Sequence, residues 1–207
     1  MYLCKLKIRI NSMSGSQNIN TDIILTIYKD ARSVFRLRDI ALIAGETDFE
    51  SLNKKLNYYV HKGKLQNPRK GIYTKSGYNQ EELACCIYTP AYVSLAYVLQ
   101  KAGVVFQYNT AITTVSYLSR TIIVDEKTYS FRKLKGELLT DTTGIIRQPN
   151  FINIASPERA FLDMLYLDKD YYFDNLNPLN KELVRKFLPI YQSKVLKSKV
   201  TNLLQDG

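Results

Sequence analysis

The chain has 207 residues, 45% of them hydrophobic, and 29 Lys and Arg stand against 19 Asp and Glu for a formal net charge of +10 at pH 7. It can bury a core as one large domain or two small ones, and no apolar run approaches the ~20 residues of a membrane span. One histidine and three cysteines, Cys4, Cys85 and Cys86, give no zinc spacing and no cofactor signature; the adjacent pair suits no disulfide, so buried thiols in a reducing cytoplasm are expected.

The charge is unevenly placed. Residues 1–75 hold 14 Lys and Arg against 6 Asp and Glu, whereas residues 76–207 hold 15 against 13. Such asymmetry is expected when one domain meets a polyanion and the other does not. A membrane surface could also attract the basic part, but no long apolar basic helix supports that.

In chain order, residues 1–17 form an extension. Leu6, Ile8 and Ile10 alternate with Lys5, Lys7 and Arg9 as in a one-sided strand, and the polar stretch from Asn11 to Gln17 reads as linker. No continuous apolar stretch follows the basic residues, so a signal peptide is not expected, and Met13 offers an alternative start. From Asn20 or Thr21 a helix to about Asp30 would bury Ile23, Ile24, Ile27 and Tyr28. Phe35 then enters a short strand.

Leu37, Ile40, Ala41 and Ala44 fall at i, i+3, i+4 and i+7, the stripe of a short helix that Gly45 stops. Thr47-Asp48-Phe49-Glu50 has the form of a capping box for a second helix over about Asp48 to Lys62. Its predicted buried face is Phe49, Leu52, Leu56, Tyr59 and Val60. The other face carries Glu50, Ser51, Lys54, Asn57, Tyr58 and His61, flanked by Lys55 and Lys62. Two helices joined through a Gly turn make a helix-turn-helix, and Pro68-Arg69-Lys70-Gly71 between two short strands makes a basic wing tip. Residues 18–76 are therefore expected to form a winged helix-turn-helix that binds DNA.

Within it, Lys54, Lys55, Lys62, Arg69 and Lys70 are the candidates to neutralise phosphates, and Ser51, Lys54, Asn57 and Tyr58 to reach base edges. His61, near the helix end, meets a phosphate or nothing. A lysine-rich helix face is commonly only a solvated surface. The order helix, Gly turn, capped helix, basic hairpin is what favours DNA binding.

Residues 77–207 read as a larger mixed or antiparallel sheet packed with helices, giving an α+β chain overall. Gln80 to Tyr88 and Tyr92 to Lys101 are expected helices, the second with Leu95, Val98 and Leu99 inward. Val104–Phe106, Ala111–Val115, Thr121–Val124 and Thr128–Phe131 are expected strands, the last two a hairpin across Asp125-Glu126-Lys127. Ile145-Ile146 and Phe151–Ile154 would follow as strands. Ser156-Pro157-Glu158 is a helix start with Ser as cap and Pro at the first position. Two terminal helices, Lys181 to Phe187 and about Ile190 to Leu204, complete the chain, and Lys194, Lys197 and Lys199 give the last a solvated basic edge.

Phe35 to Tyr73 with its Arg69-Lys70-Gly71-Ile72-Tyr73 end, the Tyr92–Leu99 segment, and above all Ala155-Ser156-Pro157-Glu158-Arg159-Ala160-Phe161-Leu162-Asp163 resemble the AbiEi antitoxins of type IV toxin–antitoxin systems. The likeness runs from about Asp22 to Leu204. It implies a winged helix that binds inverted repeats in double-stranded promoter DNA and represses its own operon. It also implies a C-terminal antitoxin domain opposing a nucleotidyltransferase-like toxin without a stable complex. The extension before Met13 is unexplained by this likeness.

Two other functions compete. An enzyme would need a carboxylate site, but Asp125 and Glu126 fit a hairpin turn, and Glu158 and Asp163 lie ~140° apart around a helix. A winged-helix regulator with a ligand-sensing second domain would use Tyr88, Tyr92, Tyr97, Phe106 and Tyr108 to line a pocket, although packed core is the commoner use of such groups.

Overall fold

A computed structural model describes residues 22–205, and the predicted N-terminal extension lies outside them. The chain is a mixed α+β protein with two sheets and, among the described residues, nine α-helices. None of those helices is long and apolar enough to cross a membrane.

The first unit runs α1 (Ile23–Lys29), β1 (Val34–Arg36), α2 (Leu37–Ala44), α3 (Phe49–His61), β2 (Gln66–Arg69) and β3 (Ile72–Thr74). Its three strands pair antiparallel in the order β1-β3-β2. The expected strand at Phe35 forms, and it pairs with the hairpin. Pairing Phe35 with Tyr73 puts both rings on one face, where they join Ile23, Ile27, Ile40, Leu52 and Leu56 in one core. Alternation sends Val34 and Ile72 to the opposite face, where they join the core of the second unit. One small sheet is thus covered on both sides.

Several local expectations need correcting. Tyr28 lies on the outer side of α1, and its hydroxyl donates to the Lys64 carbonyl at 2.8 Å. Asp48, not Thr47, caps α3, accepting from Glu50 N at 3.0 Å and Ser51 N at 3.1 Å. Asp48 fills that role because its extended backbone sits at the N-cap position, from which one carboxylate oxygen reaches both free N–H groups. Phe49 is 51% exposed rather than core, because that cap starts the helix with Phe49 beside solvent. Pro68 lies within β2, and the turn is the two residues Lys70-Gly71 between the Arg69–Ile72 pair.

The second unit contains α4 (Gln80–Ile87), β4 (Ala91–Val93), α5 (Ala96–Lys101), β5 (Ile112–Ser116), β6 (Arg120–Val124), β7 (Lys127–Lys133), α6 (Glu137–Thr140), β8 (Ile145–Arg147), β9 (Asn153–Ala155), α7 (Pro157–Leu167), α8 (Lys181–Phe187) and α9 (Lys194–Gln205). Its six-stranded sheet has the order β6-β7-β5-β4-β9-β8. The β7–β5 and β4–β9 pairs are parallel and the others antiparallel. The β6–β7 hairpin and the Ser156 cap, which accepts from Arg159 N, form as the sequence predicts.

Tyr92 and Val93 are strand, not the start of a helix. They sit in a sheet interior with both faces covered, where alternation of polar and apolar residues is lost. Val104–Phe106 is not a strand; its Val104 carbonyl accepts from Asp174 N and Asn175 N, each at 3.1 Å. Phe151 precedes β9 at φ +64°, and Ile190 belongs to a 3₁₀ turn over Leu188–Tyr191.

Candidate nucleic-acid interface

Helix α3 buries Leu52 and Leu56 and half-buries Tyr59 and Val60, which fixes the face it turns outward. At ~100° per residue, Asn57, His61, Lys54, Tyr58, Ser51, Lys62 and Lys55 spread over an arc of ~160°. All but Ser51, which is half-buried, are exposed. The two consecutive helices α2 and α3 are separated by Gly45, which at φ +65° receives the end of α2 in the left-handed region that favours glycine.

The cations of this arc are not equally available. Lys54 Nζ lies 2.6 Å from Glu50 Oε1, one turn back, and Lys55 Nζ lies 3.2 Å from Glu46 Oε2. That ion pair holds the Glu46 carboxyl below its ordinary value. Both pairs face solvent, where such contacts are worth little and yield readily to a competing phosphate. Lys62 has no carboxylate partner among the described residues; its ammonium sits 5.7 Å from the Tyr58 ring centroid. The Asn57 carboxamide oxygen is 3.4 Å from the Tyr73 hydroxyl, which donates more closely to Asn53 at 2.6 Å.

The hairpin cations divide. Lys70 is exposed at the turn, but Arg69 is drawn to the second unit, donating to the Tyr88 hydroxyl at 3.3 Å with its guanidinium 5.6 Å from that ring's centroid. Arg69 therefore anchors the hairpin instead of standing free at its tip. A cleft of about 520 Å³ brings Arg69 and Lys70 together with Arg36, Arg38 and Phe49. It lies at the Phe49 end of α3, so the structure groups the hairpin with the start of that helix and not with His61 and Lys62 at its other end.

Sequence reasoning missed Arg36 and Arg38. The signal was there, as two cations spaced by one residue at the start of the first helix of the pair. Arg36 is spent on the second unit, with Nε donating to the Cys86 carbonyl at 2.9 Å, while Arg38 is exposed.

The aromatic pocket that a ligand-sensing second unit would need is not built from Tyr88, Tyr92, Tyr97, Phe106 and Tyr108. Phe106 and Tyr108 are exposed, Tyr97 donates to Glu81 at 2.8 Å, and Tyr92 donates to Asp163 at 3.0 Å. The carboxylates weighed for catalysis are also engaged. Asp125 accepts from the Tyr78 hydroxyl at 2.7 Å, and Glu158 accepts from Asn180 N at 3.1 Å. Asp163 is fully buried with Arg159, which donates to it at 3.1 Å. Among the described residues no three His, Cys, Asp or Glu side chains gather as a metal-binding set.

A scan against protein-family models gives no match, and a search of curated proteins gives none.

Proposed function

We propose that the first unit is a winged helix-turn-helix that binds duplex DNA, with α3 entering the major groove and the β2–β3 turn beside a phosphate backbone. The observation that carries this reading is the outward arc of α3, where cations, an amide and a tyrosine share one exposed face with Glu50, together with the cleft at the start of that helix, walled by four more cations. Phosphate contacts supply affinity and side chains at base edges supply selection. Of the arc and cleft cations, Lys62, Lys70 and Arg38 are exposed and have no carboxylate partner among the described residues, and Lys54 and Lys55 join them once Glu50 and Glu46 release them.

On the strength of the AbiEi-like Ser156–Asp163 string and the hairpin, we further propose that the protein represses its own operon and that its larger unit acts as the antitoxin against a nucleotidyltransferase-like toxin. The Ser156–Asp163 segment builds the α7 start and the buried Arg159–Asp163 pair, so its place in the fold is structural.

Gel-shift titrations of the full chain on DNA from upstream of its gene test the first proposal. Lys62→Ala and Lys70→Ala should each weaken binding and lower the slope of log affinity against log salt by about 1. Slopes equal to that of the unaltered chain would overturn the assignment. Growth rescue on co-expression of the full chain with the neighbouring gene tests the second.

A further inference from the structure

Among the described residues the two sheets end in the edge strands β1, β2, β6 and β8. An open edge is a row of unpaired N–H and C=O groups, and proteins commonly blunt it with a short strand, a proline, a bulge or a covering group. All but one of these edges are blunted. β1 and β8 have three residues each, and Glu82 takes the Ser33 and Val34 donors at the β1 edge. β2 carries Pro68 and a register shift between Gln66 and Arg69.

β6 has none of these devices. Its five residues, Arg120-Thr121-Ile122-Ile123-Val124, pair with β7 in unbroken register, and the turn Asp125-Glu126, both at positive φ, closes the hairpin between Val124 and Lys127. In such a hairpin the closing pair exchanges hydrogen bonds and the pattern alternates from there, so Arg120, Ile122 and Val124 spend their N–H and C=O groups on β7. Those of Thr121 and Ile123 point the other way, and among the described residues no loop or side chain bonds to them. Both residues are exposed, Ile123 by 72%.

The two ends of this strand are oppositely charged. Arg120 begins it and Asp125-Glu126 follows it, and among the described residues neither Arg120 nor Glu126 has an ion-pair partner. Two identical edges related by a two-fold axis pair antiparallel. Centred on Ile122, that pairing sets Thr121 of each copy opposite Ile123 of the other, where they exchange both backbone hydrogen bonds. It also brings Arg120 of each copy beside the acidic turn of the other, whereas a parallel, in-register pair would set like charges together.

We propose that β6 is a self-pairing edge, through which a second copy of this chain extends the six-stranded sheet across a two-fold axis. The exposed Ile123 then packs against the second copy's Thr121 as a cross-strand pair of β-branched side chains. The pairing stands whether or not α3 reads DNA.

Sedimentation equilibrium of the full chain across a concentration series tests it, with amide hydrogen exchange read at Thr121 and Ile123. The chain should reach a dimer, and those two amides should exchange fast when it is dilute and slowly once the dimer forms. Ile123→Lys and Arg120→Glu, both at exposed positions, should each raise the dimer dissociation constant about tenfold or more while the Tm of the dilute chain holds. Adding Glu126→Lys to Arg120→Glu should recover part of that loss, because these positions sit at opposite ends of β6 and meet only across copies. A chain monomeric up to about 1 mM, a dimer indifferent to Ile123→Lys, no recovery in the double variant, or amides equally protected at every dilution would each overturn the proposal.

Discussion

Arg159 and Asp163 are fully excluded from solvent, one helical turn apart on α7. The carboxylate also accepts from Tyr92, Ser94 and Tyr191, at 3.0, 2.9 and 2.6 Å, and the guanidinium donates to the carbonyls of Thr143 and Leu138. Burial pushes the Asp163 carboxyl up, and Arg159 and the three hydroxyls oppose it. Asp163→Asn should cost roughly 3–5 kcal/mol by urea unfolding, because Arg159 is left charged and buried. Gly144→Ala should also destabilise, by roughly 2–4 kcal/mol, since φ is +71° and an added Cβ would meet Phe187 at 2.8 Å and Arg159 Cβ at 2.9 Å. Acid should weaken the fold. The Arg32 guanidinium holds Asp30 below its ordinary 3.8; for Glu81, burial pushes upward, but hydrogen bonds from Lys101 and Tyr97 outweigh it and leave the carboxyl below 4.5. Depressed carboxylates contribute stability above their ordinary values and lose it as pH falls through the lower folded ones, so the urea midpoint should drop between about pH 5 and pH 3. On the alkaline side burial raises the Cys85 thiol from 9.0 to about 11; the unfolded thiol ionises first, so stability should fall across that window. That Cys85 is buried was legible from its apolar neighbours, whereas the Asp163 environment was not. Asp163 reads as an ordinary helix position until Ala160, Phe161, Leu162, Met164 and Leu165 are seen to make α7 apolar nearly all round.

At the scale of elements, α3 and its Glu50 decide how strongly the outward arc can attract phosphates. Glu50→Gln should tighten DNA binding in the gel shift, since it frees Lys54 and removes a negative charge from the same face, while Glu50 itself stabilises little at 80% side-chain exposure. Arg69→Ala should act differently from Lys70→Ala, because Arg69 joins the hairpin to Tyr88; its loss should lower Tm as well as affinity. The order of α2, α3 and the β2–β3 hairpin was legible because Gly45 and the Lys70-Gly71 turn punctuate clear apolar periods. The segment Ala91–Val93 was not. Three residues buried on every side give no period, and the chain turns from β4 into α5 only through Leu95 at φ +62°, a position that no residue type announced. The arc on α3 was legible from spacing, but the cleft at its start was not, since Arg36 and Lys70 meet only through the fold.

Across the whole molecule, two cores share one small sheet, with Phe35 and Tyr73 facing the first and Val34 and Ile72 facing the second. The Glu82 carboxylate on α4 fastens the strand edge by accepting from Ser33 N, Ser33 Oγ and Val34 N, and Arg36 and Arg69 reach back the other way. Unfolding by urea should therefore be a single transition for the full chain, with fluorescence and circular dichroism coincident. Glu82→Leu should cost roughly 1–3 kcal/mol, since it strands the Ser33 and Val34 donors in the seam. The doubly covered sheet also sets where the molecule could be divided. A scissile point after Lys75 would strip β1 of the helix that covers it, and one in the Tyr88–Pro90 stretch would part α4 from β4 and β5, so neither division leaves both cores closed.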